Sequence, residues 1–188
     1  MALLGGDERG WIRAAQAGSV SDLEALFRLH WPRAYRAAYL VVGEHSAAEE
    51  IAQEGFVATV RSLERFDSER PFGPWLHRIV VTRAIDSARA RSARRETAGE
   101  SYFDVTDPLG WAGADGNAHP HLDPGARAIA VGLAALAPED RAVVVLRSVL
   151  EYTPGEIGEL LELPRGTVTS RLRRGLDQLE ERLKTVEG

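Results

Sequence analysis

The chain has 188 residues, of which 44% are hydrophobic, and a formal net charge of −5. This hydrophobic share is ample for compact cores and excludes a disordered chain. The sequence contains no cysteine, which excludes a disulfide framework and a cysteine-containing zinc site. It shows neither a basic, apolar leader nor an apolar run long enough to span a bilayer, so we expect a cytoplasmic protein.

Helix signals fill residues 1–95. Ser21 begins a pattern typical of a capping box, and Pro32 suits the start of a second helix that ends at Gly43. Another cap at Ser46 predicts a third, longer helix. Since no alternating strand pattern is visible, residues 1–95 are predicted to form an all-helical domain.

The last helix of this domain is predicted to begin at Trp75, after a loop of residues 66–74 that is rich in helix breakers. Its residues 78–95 contain six arginines and a single acidic residue, Asp86. Such a basic stripe is typical of phosphate binding. The arginines are Arg78, Arg83, Arg89, Arg91, Arg94 and Arg95.

Residues 96–126 differ from both flanks, because they contain six Asp or Glu residues and no Lys or Arg. They predict an acidic flexible linker between two helical domains, residues 1–95 and 127–188. The linker is either a passive tether or a segment that threads through a partner. His119 and His121 lie in it without a rigid scaffold or a third histidine nearby, so we expect no metal site.

Helices are predicted to resume near Gly125 and again at residues 139–150. Thr153 then caps a helix in which Pro154 takes the first position and Glu156 completes a capping box. The breakers at residues 163–166 predict a tight turn at Gly166 before a second helix. Two short helices around a tight turn indicate a DNA-reading helix-turn-helix.

The second helix of this pair has an apolar face and an arginine-rich face. The predicted inward side chains are Val168, Leu172, Leu176, Leu179 and Leu183. With its start in a major groove, the opposite face would meet base edges and phosphates. The candidate DNA-binding residues are Arg165, Thr167, Thr169, Ser170, Arg171, Arg173 and Arg174. The alternative is a helical hairpin with a solvated arginine face.

Motifs in both domains resemble those of bacterial RNA polymerase sigma factors, in the extracytoplasmic-function group of the sigma-70 family. In the first domain, the similar segments are residues 48–56 (AEEIAQEGF), 65–67 (RFD) and 72–76 (FGPWL). In the second domain, they are residues 156–157 (EI), 166–168 (GTV) and 170–172 (SRL). The resemblance covers nearly the whole chain. It departs from the family pattern at Thr82, Glu151, Gly158 and Thr169.

The resemblance implies a subunit that binds core RNA polymerase, recognises promoter DNA and helps to open it. The implied polymerase-binding residues are Glu50, Gln53 and Glu54. The implied minus-10 residues are Phe66, Asp67, Arg70, Arg78, Thr82 and Arg83, where an aromatic ring can stack on an unpaired base. Phe72 and Trp75 are interpreted as core. The helix-turn-helix residues would recognise the minus-35 element, and an anti-sigma factor is a further implied partner.

Two other classes of protein remain open at this point. An ordinary helix-turn-helix regulator would bind DNA stably without polymerase. A hydrolase using Asp86 with His77 is the enzymatic alternative, but the sequence has no glycine-rich phosphate loop and no nucleophile elbow. We therefore expect no catalytic residues, no cofactor, no metal and no small-molecule substrate.

Overall fold

A computed structural model describes residues 4–98 and 124–186. The regular elements in those ranges are helices, and the predicted all-α fold of two helical domains is confirmed for them. The helices are α1 (Leu4–Gln16), α2 (Val20–Val42), α3 (His45–Ser62), α4 (Phe72–Ala98), α5 (Pro124–Ala134), α6 (Pro138–Ser148), α7 (Pro154–Leu161) and α8 (Arg165–Val186). A short 3-10 turn, Leu63–Arg65, follows α3.

Helix α2 is the centre of the N-terminal domain. It packs against α1, α3 and α4, and its side chains Leu26 and Tyr39 are fully buried. Helices α3 and α4 approach closely at Gly55, where a Cβ atom would lie 2.5 Å from Val80 Cγ2. Because any side chain at this position would collide with Val80, glycine sets the spacing of the two helices.

Helix α8 holds the C-terminal domain together by packing against α5, α6 and α7. A Cβ atom on Gly175 would lie 2.8 Å from Val144 Cγ2, so the two helices meet backbone to side chain at this point. Val168 near the start of α8 is fully buried, as is Leu146 in α6. This packing orients the arginine-bearing start of α8.

The start and course of α2 differ from the prediction. Its cap is Ser19, whose hydroxyl accepts a hydrogen bond from the Asp22 N–H at 3.4 Å, and not Ser21. The helix continues through Pro32, so the predicted break there is wrong. Burial of the following turn, including Ala34, offsets the backbone hydrogen bond that proline lacks. The predicted stop is confirmed, because Gly43 adopts φ 75° at the C-cap.

Two more helix starts lie earlier than predicted. Glu44 occupies the N-cap position of helix α3 without a side-chain capping hydrogen bond, and the hydroxyl of Ser46 donates to the Glu44 carboxylate. Helix α4 begins at Phe72 and not at Trp75, because the ring of Phe72 is 1% exposed and anchors the first turn in the core. The sequence interpretation missed α1 altogether, although its Ile12 is fully buried.

The capping box predicted at Thr153 and Glu156 is confirmed, but the turn after α7 is built differently. Glu162 adopts the left-handed conformation, with φ 55°, and Gly166 lies inside α8. The chain passes so close to Gly158 that a Cβ atom there would lie 2.9 Å from the Leu163 carbonyl oxygen. Glycine is therefore required where the backbone folds back on α7, and the predicted turn at Gly166 is wrong.

One position of the predicted inward stripe of α8 is also wrong. Leu176 is 42% exposed, whereas Leu172 and Leu183 are half-buried. The preceding residue, Gly175, makes the contact with α6. Since successive residues on a helix are about 100° apart, Leu176 turns away from that contact.

The two domains pack together through α6 and α7, which lie against α2 and α4. Arg141 of α6 is 6% exposed and donates to the carbonyl oxygen of Val41 in α2 at 2.7 Å. It also donates to the carbonyl oxygens of Ala134 and Leu136, at 2.8 and 2.9 Å. One buried cation thus satisfies acceptors from both domains.

Candidate nucleic-acid and protein interfaces

An aromatic-lined cavity lies beside the start of α4. The rings of Phe66 and Trp75 stack with centroids 4.2 Å apart and planes 14° apart, and Phe72 meets Trp75 edge-on. Both stacked rings are half-buried. The cavity has a volume of about 700 Å³ and also contains guanidinium groups, including those of Arg65 and Arg70. Aromatic faces beside cations are suited to an unstacked base and its phosphate.

Most of the predicted minus-10 residues lie at this cavity, but Arg83 lines another concavity, with Glu50, Gln53 and Glu54. Four of them line the cavity, namely Phe66, Asp67, Arg70 and Arg78. Thr82 is exposed one turn further along α4. The Asp67 carboxylate accepts a hydrogen bond from the Glu69 N–H at 3.0 Å and so shapes the loop. The role of these residues in base recognition stays a prediction.

The described arginines of α4 are largely engaged by carboxylates of the same chain. The ion pairs are Arg78 with Glu162, Arg83 with Glu54, Arg89 with Asp86 and Glu139, and Arg91 with Glu44. Burial raises the pKa of Glu139, but its backbone hydrogen bond and Arg89 together lower that pKa by more, so the carboxylate stays charged. A phosphate that binds one of these four arginines has to replace its carboxylate partner. Arg95 lies in the predicted stripe, but its side chain is outside the described residues.

The start of α8 presents the predicted minus-35 residues differently. A shallow concavity is lined by Arg165, Gly166, Thr169, Ser170 and Arg173. The hydroxyls of Thr169 and Ser170 donate to carbonyl oxygens one turn back, at 3.0 Å each. Both guanidinium groups are exposed, so this surface is open to a nucleic acid.

The other predicted residues of α8 occupy distinct positions. Thr167 and Arg171 are half-buried next to Val168 and Leu172. Arg174 is bound in bidentate fashion by the buried carboxylate of Asp140, with Nε and Nη2 at 2.6 and 2.8 Å from its oxygens. Arg174 therefore supports the domain, and its predicted contact with phosphate stays a prediction.

The three predicted polymerase-binding residues, Glu50, Gln53 and Glu54, are exposed on α3. Gln53 also lines an apolar groove between α2 and α3 that the sequence interpretation missed, whereas Glu50 and Glu54 lie in an adjoining concavity. The groove includes Phe27 and Val57, which are 39% and 47% exposed. The excess of apolar residues on an otherwise acidic helix was the available signal.

A buried polar contact between the domains was also missed. His77 of α4 and Tyr152, which precedes α7, share a hydrogen bond of 2.7 Å between Nδ1 and the hydroxyl. Burial, together with the charges of His30 and Arg33, lowers the pKa of His77 to about 3. Burial also raises the pKa of Tyr152 to about 12. Both groups are neutral at pH 7, and neither was expected at an interface.

The remaining sequence predictions concern the acidic linker, metal binding and membrane spans. The acidic linker, with His119 and His121, lies almost entirely outside the described residues. Within the part that is described, no group of three potential ligands could hold a metal ion. The described helices also include none that is long and apolar enough to cross a membrane.

Comparisons with known proteins match both domains. The Sigma-70 region 2 family matches residues 26–94, and the Sigma-70, region 4 family matches residues 126–179. The ECF RNA polymerase sigma factor SigW of Bacillus subtilis is 29% identical over 93% of this chain and 96% of its own length. RNA polymerase sigma factor CarQ of Myxococcus xanthus is 31% identical over 90% and 94%.

A solved structure shares the fold. The sigma factor RpoE in complex with the anti-sigma factor NepR from Bartonella quintana matches with a TM-score of 0.68. The two chains are 20% identical, and the match covers 88% of this chain and 98% of the other.

Proposed function

Since this chain belongs to the extracytoplasmic-function group of bacterial RNA polymerase sigma factors, we propose that three of its surfaces divide the work of that subunit. As a sigma factor, it binds core RNA polymerase, recognises promoter DNA and promotes initiation. We assign it no covalent step and no cofactor. Its place of work is the cytoplasm, where polymerase and promoters meet.

The start of α8 is the proposed surface for the minus-35 element. Arg165 and Arg173 are exposed around the Thr169 and Ser170 hydroxyls, whose hydrogens are bonded to helix carbonyls, which gives a face of cations and short acceptors. Such a face suits phosphates at its rim and base edges at its centre. Arg171 stands between these residues and the buried Val168, so we assign it the base contact.

The cavity beside α4 is the proposed surface for the minus-10 element. The Phe66–Trp75 stack offers an aromatic platform, and Arg70 and Arg78 stand at its edge. An unpaired base stacked there would place its phosphates near the guanidinium groups. Asp67 and Thr82 complete the proposed site, and Arg83, which lies away from the cavity beside Glu54, is proposed to contact the same DNA.

The face of α3 is the proposed surface for core polymerase, and it carries the proposal furthest. An exposed apolar groove has Glu24 on its α2 side, and Gln53 and Arg61 on its α3 side. Glu50 and Glu54 lie with Gln53 in the adjoining concavity. An amphipathic helix of the polymerase fits the apolar centre of the groove, and basic side chains along it could pair with Glu24 at the groove and with Glu50 beside it.

Transcription by core polymerase on a promoter library, with and without this chain, tests the proposal. The variant Glu50→Arg with Gln53→Ala keeps Glu54 available to Arg83 and should weaken polymerase binding about tenfold. Glu64→Arg, a charge reversal on the exposed 3-10 turn, is the control and should bind as the parent does. Unchanged affinity in the double variant would remove the α3 face from the interface.

We also propose an anti-sigma factor as a partner, because the similar RpoE structure is a complex with one. We expect the anti-sigma factor to compete with core polymerase, and we expect Glu50→Arg with Gln53→Ala to weaken its binding.

The acidic linker is proposed to enter the polymerase channel. Replacing residues 104–123 by a Gly/Ser segment of equal length should then change early RNA synthesis and leave polymerase binding intact.

A further inference from the structure

The segment that begins the proposed minus-10 site is a loop, residues 66–71, between the 3-10 turn and α4. Its centre is held by a turn in which the Arg70 N–H donates to the Asp67 carbonyl oxygen at 3.0 Å. At its start, the ring of Phe66 stacks on Trp75 in a defined orientation. A site on a loop keeps such an orientation only when neighbouring elements support it. We call residues 66–71 the minus-10 loop.

Gln16, the last residue of α1, holds the start of the minus-10 loop. Its Nε2 atom donates to the carbonyl oxygens of Leu63 and Phe66, at 2.9 and 2.7 Å. An amide nitrogen carries two hydrogens, so both bonds form at once. The partners lie 47 and 50 residues away along the chain. Both donors of one side chain are thus used on the backbone that directs the Phe66 ring.

Glu8, about two turns earlier on α1, holds the other end of the minus-10 loop. Its carboxylate accepts a hydrogen bond from the N–H of Phe72, the first residue of α4, and its Oε1 lies 2.9 Å from His30 Nε2. The hydrogen bond from His30 lowers the pKa of Glu8 by more than burial raises it, so the carboxylate is charged at pH 7. An anion at the first N–H groups of a helix stabilises the start of α4.

These contacts come from one face of α1. Glu8, Ile12 and Gln16 are spaced by four residues and therefore share that face. Ile12 is fully buried, and α1 packs on α2. Beside this face, Arg9 lies 3.4 Å from Glu69 in the minus-10 loop. Helix α1 thus contacts the loop at its start, in its middle and where it joins α4, although α1 precedes the segment that matches Sigma-70 region 2.

We propose that α1 positions the minus-10 loop and that Gln16 is a positioning residue for base recognition, because it holds the backbone that carries the Phe66 ring. This inference rests on the proposed function of the cavity beside α4. Gln16 is not among the described residues that line the cavity, so it acts through Phe66 and not by touching DNA. Stacking on an unpaired base depends on the plane of the ring, and Gln16 sets that plane through the backbone.

Transcription by core polymerase with the full chain, on promoters that differ in the minus-10 element, tests this role. Gln16→Met keeps the length of the side chain and removes both donors. We expect its preference at one or two minus-10 base pairs to fall about fivefold, while its preference among minus-35 variants stays that of the parent. Gln16→Lys, whose ammonium group can donate to both carbonyl oxygens, should restore most of the minus-10 preference.

A merely structural role has a different signature, because a smaller folded fraction lowers transcription from all promoters alike. Thr59→Val is the matched control, since the buried Thr59 hydroxyl donates to the Phe56 carbonyl oxygen at 2.7 Å within α3. It should lower stability in urea and leave the minus-10 preference unchanged. If Gln16→Met folds poorly, Gln16→Ala gives the same comparison, because the vacated space admits water to the two carbonyl oxygens.

A minus-10 preference like the parent's in the folded Gln16 variant, or an equal change in Thr59→Val, would overturn the positioning role. Phe66→Ala distinguishes that result from failure of the proposed function. If Phe66→Ala changes the minus-10 preference and the Gln16 variant does not, the role of Gln16 alone is refuted. If Phe66→Ala also leaves the preference unchanged, the cavity is not the minus-10 surface, and the role of Gln16 fails with it.

Discussion

The two arginine-bearing helices, α4 and α8, hold their charges differently. Along α4, the side chains of Arg78 and Arg83 each face a carboxylate of the same chain. At the start of α8, the described residues provide no ion pair for Arg165 or Arg173, and both are exposed. Further along α8 the pattern reverses, because Arg174 is bound by the buried Asp140.

This difference separates the two proposed promoter contacts. DNA can meet Arg165 and Arg173 without displacing a paired carboxylate, whereas at α4 it must replace the carboxylate of Glu162 and meets α7, which lines the same cavity. From arginine content alone, both helices are predicted to bind phosphates. Because of these different partners, the proposed minus-35 surface on α8 is more accessible in the free chain than the proposed minus-10 surface on α4.

The largest expected effect is a loss of stability at acidic pH, when His77 at the contact between α4 and the C-terminal domain becomes protonated. Burial holds the pKa of His77 at about 3, against 6.5 for an unperturbed histidine. Between these values the unfolded chain binds the additional proton, so stability is present above about pH 6.5 and is lost as the pH falls toward 3. His77 alone should cost about 3 kcal/mol of unfolding free energy between pH 7 and pH 4.

Urea unfolding of the parent and of His77→Gln across that pH range measures this contribution. Glutamine does not titrate and retains an acceptor for the Tyr152 hydroxyl. The difference in unfolding free energy between the parent and His77→Gln should narrow as the pH falls. Parallel stability profiles would show that His77 does not report on the contact between the domains.

The next effect concerns Arg174 of α8, whose guanidinium group is bound by the buried Asp140. Asp140→Asn removes the charge from a carboxylate that is 3% exposed and accepts two hydrogen bonds from Arg174. The unfolding free energy should fall by about 2 kcal/mol. Asp177→Asn, on the exposed side of α8, is the matched control and should change little. A stability loss equal to the control's would leave Arg174 free to serve phosphate alone.

Arg174→Ala then asks whether the same side chain also contacts DNA. If it does, promoter variants should all be weakened alike, and the salt dependence of binding should fall by about one unit of slope. A change in which upstream sequence is preferred would contradict a phosphate role.

The base contact at the start of α8 gives the third effect. Arg171→Ala should lose about 1–3 kcal/mol on the preferred upstream element and relax selectivity at one or two base pairs. Arg182→Ala, near the far end of α8, should leave the preference unchanged. Transcription from promoter variants measures both, and a uniform loss across all sequences would refute base reading by Arg171.

The smallest expected effect concerns Glu54 of α3, which competes with DNA for Arg83 of α4. Glu54→Gln releases Arg83 from an exposed pair with a separation of 3.6 Å. Binding of minus-10 DNA should tighten by less than about 1 kcal/mol, because exposed ion pairs are weak. Glu49→Gln on the same helix is the control for net charge. Weaker DNA binding by Glu54→Gln would mean that Glu54 positions Arg83 for DNA.

The sequence by itself determined the features that depend on neighbouring residues. The capping box of Thr153 and Glu156, the stop at Gly43 and the helix-turn-helix pattern each involve contacts within a few positions. Two motif blocks in order likewise indicated the family, because motif spacing is a property of the chain. The candidate residues of the cavity and of α8 were predicted for the same reason, although their roles await the experiments above.

Only the tertiary structure decided features that depend on distant parts of the chain. Pro32 lies inside α2 because its neighbours are buried, and Glu162 makes the turn because the backbone closes on Gly158. The groove at Phe27 and Val57, like the partners of Arg78 and Arg174, joins residues that are far apart in sequence. Periodicity records which side of a helix is apolar, but packing alone determines which side chains meet, and hence which arginines are free to bind DNA.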